Sequence, residues 1–416
     1  MRSTRPLAGL ALVIALALAG CAGTPPAGPT ATPAAEPVET TPAGGEPSVP
    51  PPGPVPPAPD KRDLSIRIAA VGDIMLGTDY PENHLPDDDG IGFLAGVAPV
   101  LAAADLAFGN LEGVLADGGE PVKACNNPNA CYLFRSPTRY AEHLVNAGFD
   151  LISLANNHAL DFGEAGRDSS MAALDRVGIR HSGREGTFAS FEHGELRVAL
   201  LAFAVTRNSN LVFDYDLVET TVSEFAAAHD IVIVSFHGGA EGRGFTRLPF
   251  AEEEYYGEPR GDVVRFARLA VDAGADLVVG HGPHVIRAAE RYRDRLIAYS
   301  LGNFATYYGI SVAGIKGVAP ILDVTLDGEG RFLGGRIVST HQLRPAGPTI
   351  DPEAQALQLL RSLSRQDFGN PGLEFHDDGR LEAVPRPWVK PHPAADVQPS
   401  SVPTDLKSTP SERSLR

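Results

Sequence analysis

Between residues 63 and 301, short aliphatic or β-branched runs alternate with longer stretches in which apolar residues recur every three to four positions, the pattern of βα units around a mainly parallel sheet. Strands are expected at 65–71, 105–108, 150–154, 197–205, 230–236, 275–280 and 296–301, and helices near 91–103, 137–147, 164–177 and 261–273. In the last of these, Val263, Val264, Phe266, Ala267, Ala270 and Val271 recur at helical spacing. Beyond Lys316 the periodicity changes. Residues 318–326 and 331–343 read as antiparallel strands about the turn Asp327-Gly328-Glu329-Gly330, and 352–364 as a closing helix. One unit occurs twice: Asn146-Ala147-Gly148-Phe149-Asp150 leads through a strand to His158, and Asp272-Ala273-Gly274-Ala275-Asp276 leads through a strand to His284 at the same offset. In each, a glycine stands where a left-handed cap would end the preceding helix.

Polar residues of metal-ligand type stand where the apolar runs stop: Asp73, then Asn110 and Glu112, then Asn156-Asn157-His158, then His237, then His281-Gly282-Pro283-His284. In an open α/β sheet the carboxyl ends of parallel strands share one edge, so groups far apart in sequence can converge there. Taken singly, Asp73 also reads as a turn residue, and Asn156 or Asn157 as a helix cap. Taken together, the set offers carboxylate, carboxamide and imidazole without thiolate. That chemistry suits a hydrolytic site of one or two divalent ions, Mn, Zn or Fe, better than a structural zinc. Asp161 is near enough to His158 to fix its tautomer. The paired glycines Gly238 and Gly239 let the backbone approach a ligand, so Glu241, with Asn156 and Asn303, is expected on the substrate side. His143, His181, His193, His229, His341, His376 and His392 lack such a setting and read as ordinary polar residues.

The two ends carry a different composition. Arg2 and Arg5 precede an apolar run from Leu7 to Leu18, the order of a secretory signal, and the run is too short for a comfortable membrane span. Leu18-Ala19-Gly20-Cys21 is similar to a bacterial lipobox, which would make residues 1–21 a lipoprotein signal and Cys21 the lipidated residue; an ordinary cleaved signal is the alternative. Residues 22–62, dense in Pro, Ala, Thr and Gly, read as a disordered tether, and 385–416 as a disordered tail in which Trp388 alone has a reason to dock. One domain over 63–384 remains. Within it Cys125 and Cys131 close a short loop and, in an exported protein, are expected to form a disulfide; two thiolates are too few for a zinc site. The formal net charge of −17 argues against a nucleic-acid partner and against docking on anionic lipid, so membrane attachment would fall to the lipid at Cys21. A polyanionic substrate would need bound metal or local arginines to reverse the field.

The segments Val71-Gly72-Asp73-Ile74-Met75-Leu76-Gly77, Gly109-Asn110-Leu111-Glu112, Ala155-Asn156-Asn157-His158-Ala159-Leu160-Asp161, Gly280-His281-Gly282-Pro283-His284 and Ser300-Leu301-Gly302-Asn303-Phe304 resemble those of the CapA family, from about Ile66 to Leu343. The resemblance implies a role in capsule or poly-γ-glutamate synthesis. It also implies a fold similar to the calcineurin-like metallophosphatases, an α/β sandwich of two mixed β-sheets flanked by α-helices. By motif, Asp73 matches the first metal ligand, Asn110 or Glu112 the bridging position and Asn157 the second-metal amide. His158 matches the general acid, and His237, His281 and His284 the remaining ligands. Two positions depart from the pattern. Met75 stands where the metallophosphatase motif has a histidine, which leaves a mononuclear site open beside a two-metal one, and Gly238 stands where the family usually has a tryptophan, which would widen the pocket. The reading that results is an envelope-anchored, metal-dependent hydrolase acting on an anionic capsule polymer or its precursor, at γ-glutamyl amide or phosphoester bonds. The alternatives are a non-catalytic polymer-binding accessory of a membrane synthase or exporter, and a metallophosphoesterase unrelated to capsule.

Overall fold

Nine strands carry the frame in the computed structural model, which describes residues 60–122 and 132–384: β1 Ser65–Met75, β2 Leu106–Leu111, β3 Leu151–Ser153, β4 Leu196–Ala204, β5 Ile231–His237, β6 Leu277–His281, β7 Asn303–Thr306, β8 Val318–Asp327 and β9 Phe332–Gln342. From Ile68 onward β1 is buried on both faces, as a strand covered from two sides must be. Its residues alternate between two cores. Ile66, Ile68 and Ala70, with Leu106 and Phe108 of β2, join Leu200, Phe203, Ile233 and Val279 of the second sheet. Ala69 and Val71, with Ala107 and Ile152, pack instead beneath Phe93, Val97 and Leu101 and the helix Ala141–Asn146.

The first sheet runs Leu373–Phe375, Arg380–Ala383, β9, β8, β1, β2, β3, Arg180–Ser182, with β7 added beside the end of β1 and Pro348–Ile350 beside β9. β1, β2, β3 and Arg180–Ser182 are mutually parallel, whereas β8 and β9 are antiparallel. The second sheet runs Ala289–Tyr292, Arg295–Ala298, β6, β5, β4, Ala189–His193, with Asn210–Leu211 beside β4 and parallel pairing at its centre. The molecule therefore has two packed mixed sheets, as the family resemblance implies, rather than the single parallel sheet that βα alternation alone would give.

Among the described residues, four helices of eleven residues or more complete the layers: α1 Gly163–Arg176, α2 Tyr215–Ala228, α3 Val263–Ala273 and α4 Gln355–Phe368. α3 begins where Asp262 accepts from the amides of Val264 and Arg265 at 3.1 and 3.0 Å and ends at Gly274, whose φ of 116° is the left-handed cap the repeated unit predicts. Gly148, its counterpart, has φ 98°. The antiparallel β8–β9 pair is also as expected, its turn held by Asp327, which accepts from the amides of Glu329 and Arg331.

Two expectations need correction. The helix expected at 91–103 forms only over Ala98–Leu101; Gly90, Gly92 and Gly96 favour turns ahead of it, and Pro99 is tolerated in its first turn. α2 lies where the apolar periodicity gave no helix, because Tyr215, Thr220, Thr221 and Val222 are weak helix formers. Capping by Asp214 and burial of Val218 and Val222 decide it. No helix among the described residues is long and apolar enough to cross a membrane. Cys21, Cys125, Cys131, Trp388, the signal, the tether save its last residues and the tail lie outside the described residues.

Candidate metal centre

Strand register brings the ligand-type residues together at the carboxyl edges of both sheets. Parallel pairing sets Asp73 beside Asn110 on β1 and β2, Asp73 beside Asn303 on β1 and β7, and His237 beside His281 on β5 and β6. The crossing at Gly72 is tight. A Cβ there would lie 1.9 Å from the Gly302 carbonyl oxygen, which also accepts from the Asp73 amide at 2.9 Å. Only glycine permits that approach, and it aligns Asp73 with Asn303. On the facing sheet, His284 follows Pro283 with φ 56°, a left-handed conformation that costs a non-glycine residue about 1–3 kcal/mol and here turns the imidazole toward Asp73.

The side chains form a connected set. Asp73 accepts from Asn110 Nδ2 at 2.9 Å through Oδ1 and lies 3.1 Å from His284 Nδ1 through Oδ2, with His281 Nδ1 3.5 Å from Oδ1. Asn110 Nδ2 is also 3.5 Å from His237 Nδ1. His284 Nε2 faces Glu112 Oε1 at 3.5 Å and Glu241 Oε2 at 3.8 Å. Beside them His158 is gripped by Asp161, Nδ1 to Oδ2 2.7 Å, and its Nε2 stands 3.9 Å from Glu112 Oε1. Phe134 packs against the His158 ring at 4.3 Å between centroids and donates its amide to the same Asp161 oxygen.

Burial makes this arrangement electrostatically uncomfortable without a cation. Asp73 and Glu112 are at most 1 % exposed. Burial alone would raise the Asp73 carboxyl, but the imidazoles of His281 and His284 hold it well below the usual carboxylate range. For Glu112 burial wins: aided by Asp73 and Glu241 and opposed by the His284 imidazole, it pushes the carboxyl up to about 8. Burial also drives His237 well below its ordinary value. His284 is pushed up to about 10: burial opposes its charge, but Glu112 and Asp73 outweigh burial. Among the described residues, neither oxygen of Glu112, neither ring nitrogen of His281 nor Nε2 of His237 has a hydrogen-bond partner. Buried polar atoms without partners are costly, and a divalent cation would satisfy those that face it, one nitrogen of each imidazole at most. Asp73, Glu112 and His284 each present one ligand atom, all within 4.8 Å of one another, so the buried trio fits a divalent ion. A second trio, Glu374, His376 and Glu382, lies at the surface, where Arg380 already pairs with Glu382 at 2.6 Å.

The structure gathers Asp73, Asn110, Glu112, His237, His281 and His284, with the His158–Asp161 pair at their margin; Asn157 lines the adjoining cavity. Two residues expected to meet substrate are turned inward. Asn156 donates to Asn110 Oδ1 and to the Leu111 carbonyl and accepts from the His158 amide. Asn303 places Oδ1 3.0 Å from His284 Nδ1 and donates to the carbonyls of Ser311 and Lys316. Both therefore hold ligand-type neighbours in position. At Gly238 the backbone is closely packed, since a Cβ there would meet the Arg260 carbonyl oxygen at 3.0 Å. Met75 packs with Phe134 and Ile310, its sulfur facing the Gly77 amide, and offers no ligand. Sequence reasoning missed Arg260, 1 % exposed and 2.8 Å from Glu241, and the buried pair Arg287–Glu253. Arg287 alone leaves a sequence signal, a charged residue three positions after His284.

The bacterial capsule synthesis protein family PGA_cap matches residues 67–308. A capsule biosynthesis protein CapA of Bacillus anthracis is 28% identical over 283 residues, 60% of this chain and 62% of the relative. A PGA biosynthesis protein CapA of Bacillus subtilis is 29% identical over 253 residues, 56% and 61% of the two chains. The chain thus spans less than two thirds of the length of these curated relatives. Among solved structures, a putative 5'-nucleotidase of Staphylococcus aureus aligns with a TM-score of 0.39 at 14% identity, over 72% of this chain and 58% of its own.

Proposed function

Since the chain belongs to the bacterial capsule synthesis protein family PGA_cap, we propose that its buried Asp–Glu–His cluster is a divalent-metal centre at which a capsule polymer or its precursor is hydrolysed, at a γ-glutamyl amide or a phosphoester. The observation that carries this reading is Glu112, a buried carboxylate with no hydrogen bond to either oxygen, within ligand distance of Asp73 and His284. Asp73, Glu112 and His284 would hold the ion, with His237, His281, Asn110 and Asn157 as further ligands. A bound divalent cation would supply Lewis acidity and an activated water. The chain's own contribution is the proton. Asp161 occupies Nδ1 of His158, so Nε2 is the atom that delivers a proton to the leaving nitrogen or oxygen. Arg260 holds Glu241 beside His284.

Metal removal tests the proposal. Purified chain dialysed against Mn, Zn and Fe is expected to retain one or two ions by mass spectrometry and to cleave γ-linked glutamate oligomers or a phosphodiester, with cleavage lost on chelation and restored by the metal. A chain that retains no ion under any of the three would end the hydrolase reading. Met75 favours a second reading, because its apolar packing leaves the centre one ligand short of the metallophosphatase pattern. Retention of metal with polymer binding and no turnover would make the protein a polymer-binding accessory of a membrane synthase or exporter. Envelope anchoring rests on Leu18-Ala19-Gly20-Cys21. A Cys21→Ser chain is expected to leave the membrane fraction and to lose incorporation of labelled palmitate; unchanged fractionation would remove the anchor.

A further inference from the structure

Next to the metal centre lies a cavity of about 970 Å³, open from Asn157, Asp161 and Glu241 across to Arg207 and the hairpin that carries Tyr255 and Tyr256. Most of its charges are already matched: Asp161 grips His158, and Glu241 and Arg260 pair at 2.8 Å. Arg207 is different. It is exposed, lines the cavity and makes no ion pair among the described residues, in a chain whose acidic groups outnumber basic ones by 17. Its loop is also clamped. The Ser209 amide donates to the Thr206 carbonyl at 3.3 Å, and Asn208, at φ 62°, accepts from Arg167 at 2.6 Å and from the Glu185 amide at 3.1 Å through its carbonyl. The clamp fixes where the Arg207 side chain leaves the backbone, and its planar guanidinium can match a carboxylate in two-pronged geometry. Across the cavity Tyr256 is 91% exposed, beside Tyr255 at 4.5 Å between ring centroids, and Tyr255 is backed in turn by Phe245 at 5.8 Å, so the hairpin presents the Tyr256 ring to the cavity side on an aromatic support.

We infer that Arg207 is a specificity residue: it receives the free carboxylate of one repeat of an acidic polymer, while Tyr256 lies along the polymer backbone and the neighbouring bond reaches the metal centre. The inference rests on the proposed function for the polymer and for the cleaved bond. Glu258, which also lines the cavity, repels a second carboxylate, so the subsite takes one charge rather than a run of them.

Calorimetric titration of the full chain with two oligomers of equal length, γ-linked glutamate and its neutral γ-linked glutamine analogue, tests it. The glutamate oligomer is expected to bind more tightly. Arg207→Gln should weaken it about 10- to 100-fold, the worth of a charged hydrogen-bonded contact, and leave the neutral oligomer unchanged. Tyr256→Ala should weaken both oligomers alike. Both side chains are exposed, so folding and bound metal should be unaltered, and metal content is measured on the same samples. Equal affinity of the wild type for the two oligomers, absence of binding, or an Arg207→Gln chain that binds like the wild type would overturn the subsite. Binding that depends on Arg207 in a chain that retains no metal would leave the subsite standing and remove the hydrolase. Metal-dependent cleavage insensitive to Arg207 would do the reverse.

Discussion

A Glu112→Gln chain is expected to retain no divalent cation and to show none of the hydrolysis proposed for wild type, and yet to unfold no more easily than metal-free wild type. Glu112 is buried, and neither of its oxygens receives a hydrogen bond. A carboxylate in that state has only the attraction of the His284 imidazole, 3.5 Å from Oε1, to set against the cost of its desolvation. Had it been one half of a structural ion pair, its removal would cost about 3–5 kcal/mol. Here the metal-free variant should lie within about 1 kcal/mol of wild type or above it, since a neutral amide of equal size is less costly to bury than a charge. Added metal separates the two chains. At an ion concentration a hundred times the dissociation constant, wild type should gain about 2.7 kcal/mol and the variant nothing. Urea unfolding with and without Mn reads both quantities. Strong destabilisation of the apo variant, or an unchanged response to metal, would assign Glu112 to the scaffold and leave Asp73 and His284 without their third ligand.

Arg287→Ala should be the most damaging single change outside the ligand set, at about 3–5 kcal/mol. The Arg287 side chain is fully buried, with Nη1 and Nη2 each 2.7 Å from a Glu253 oxygen, Nε donating to the Phe245 carbonyl at 2.8 Å and Nη2 to that of Ala240 at 3.1 Å. Glu253 in turn accepts from the Ala240 amide at 3.0 Å. Truncation leaves Glu253 buried and unpaired, and it frees the loop that carries Glu241 toward His284. Metal affinity should therefore fall although Arg287 touches none of the ligand-type residues. Denaturant unfolding of the single variant and of an Arg287→Met, Glu253→Leu double variant distinguishes the causes. The double variant should recover most of the stability, because two apolar groups can replace a buried pair at little cost, while the metal affinity stays low if the loop depends on the pair's hydrogen bonds. Full recovery of both would show that the pair fills space and does not position the loop.

Much of the site could be read before any fold was known, because polar residues gathered at a sheet edge leave a local trace. Asp73, Asn110, His237 and His281 lie at the ends of apolar strands, and each such strand is recognisable from a handful of neighbours. The repeated unit ending at His158 and at His284 is equally local, a helix, a left-handed glycine and a strand. What stayed hidden has a longer range. Arg260 and Arg287 fall in segments with no period, and their partners Glu241 and Glu253 are 19 and 34 positions away. Asn156 and Asn303 were legible as polar residues at the rim, but the direction of a side chain depends on which donors and acceptors surround it.

By itself the sequence determined which chemical groups stand at the strand ends, in what order and on which elements, since periodicity, turn residues and caps act over a few positions. Only the tertiary structure decided which strands join which of the two sheets, that the Gly72 crossing aligns Asp73 with Asn303, and that Asp73 and His284, 211 positions apart, meet at 3.1 Å beside Glu112. The reason is physical: inter-strand hydrogen bonds and the packing of the buried faces join segments through space, and neither leaves a mark on the residues adjacent in the chain.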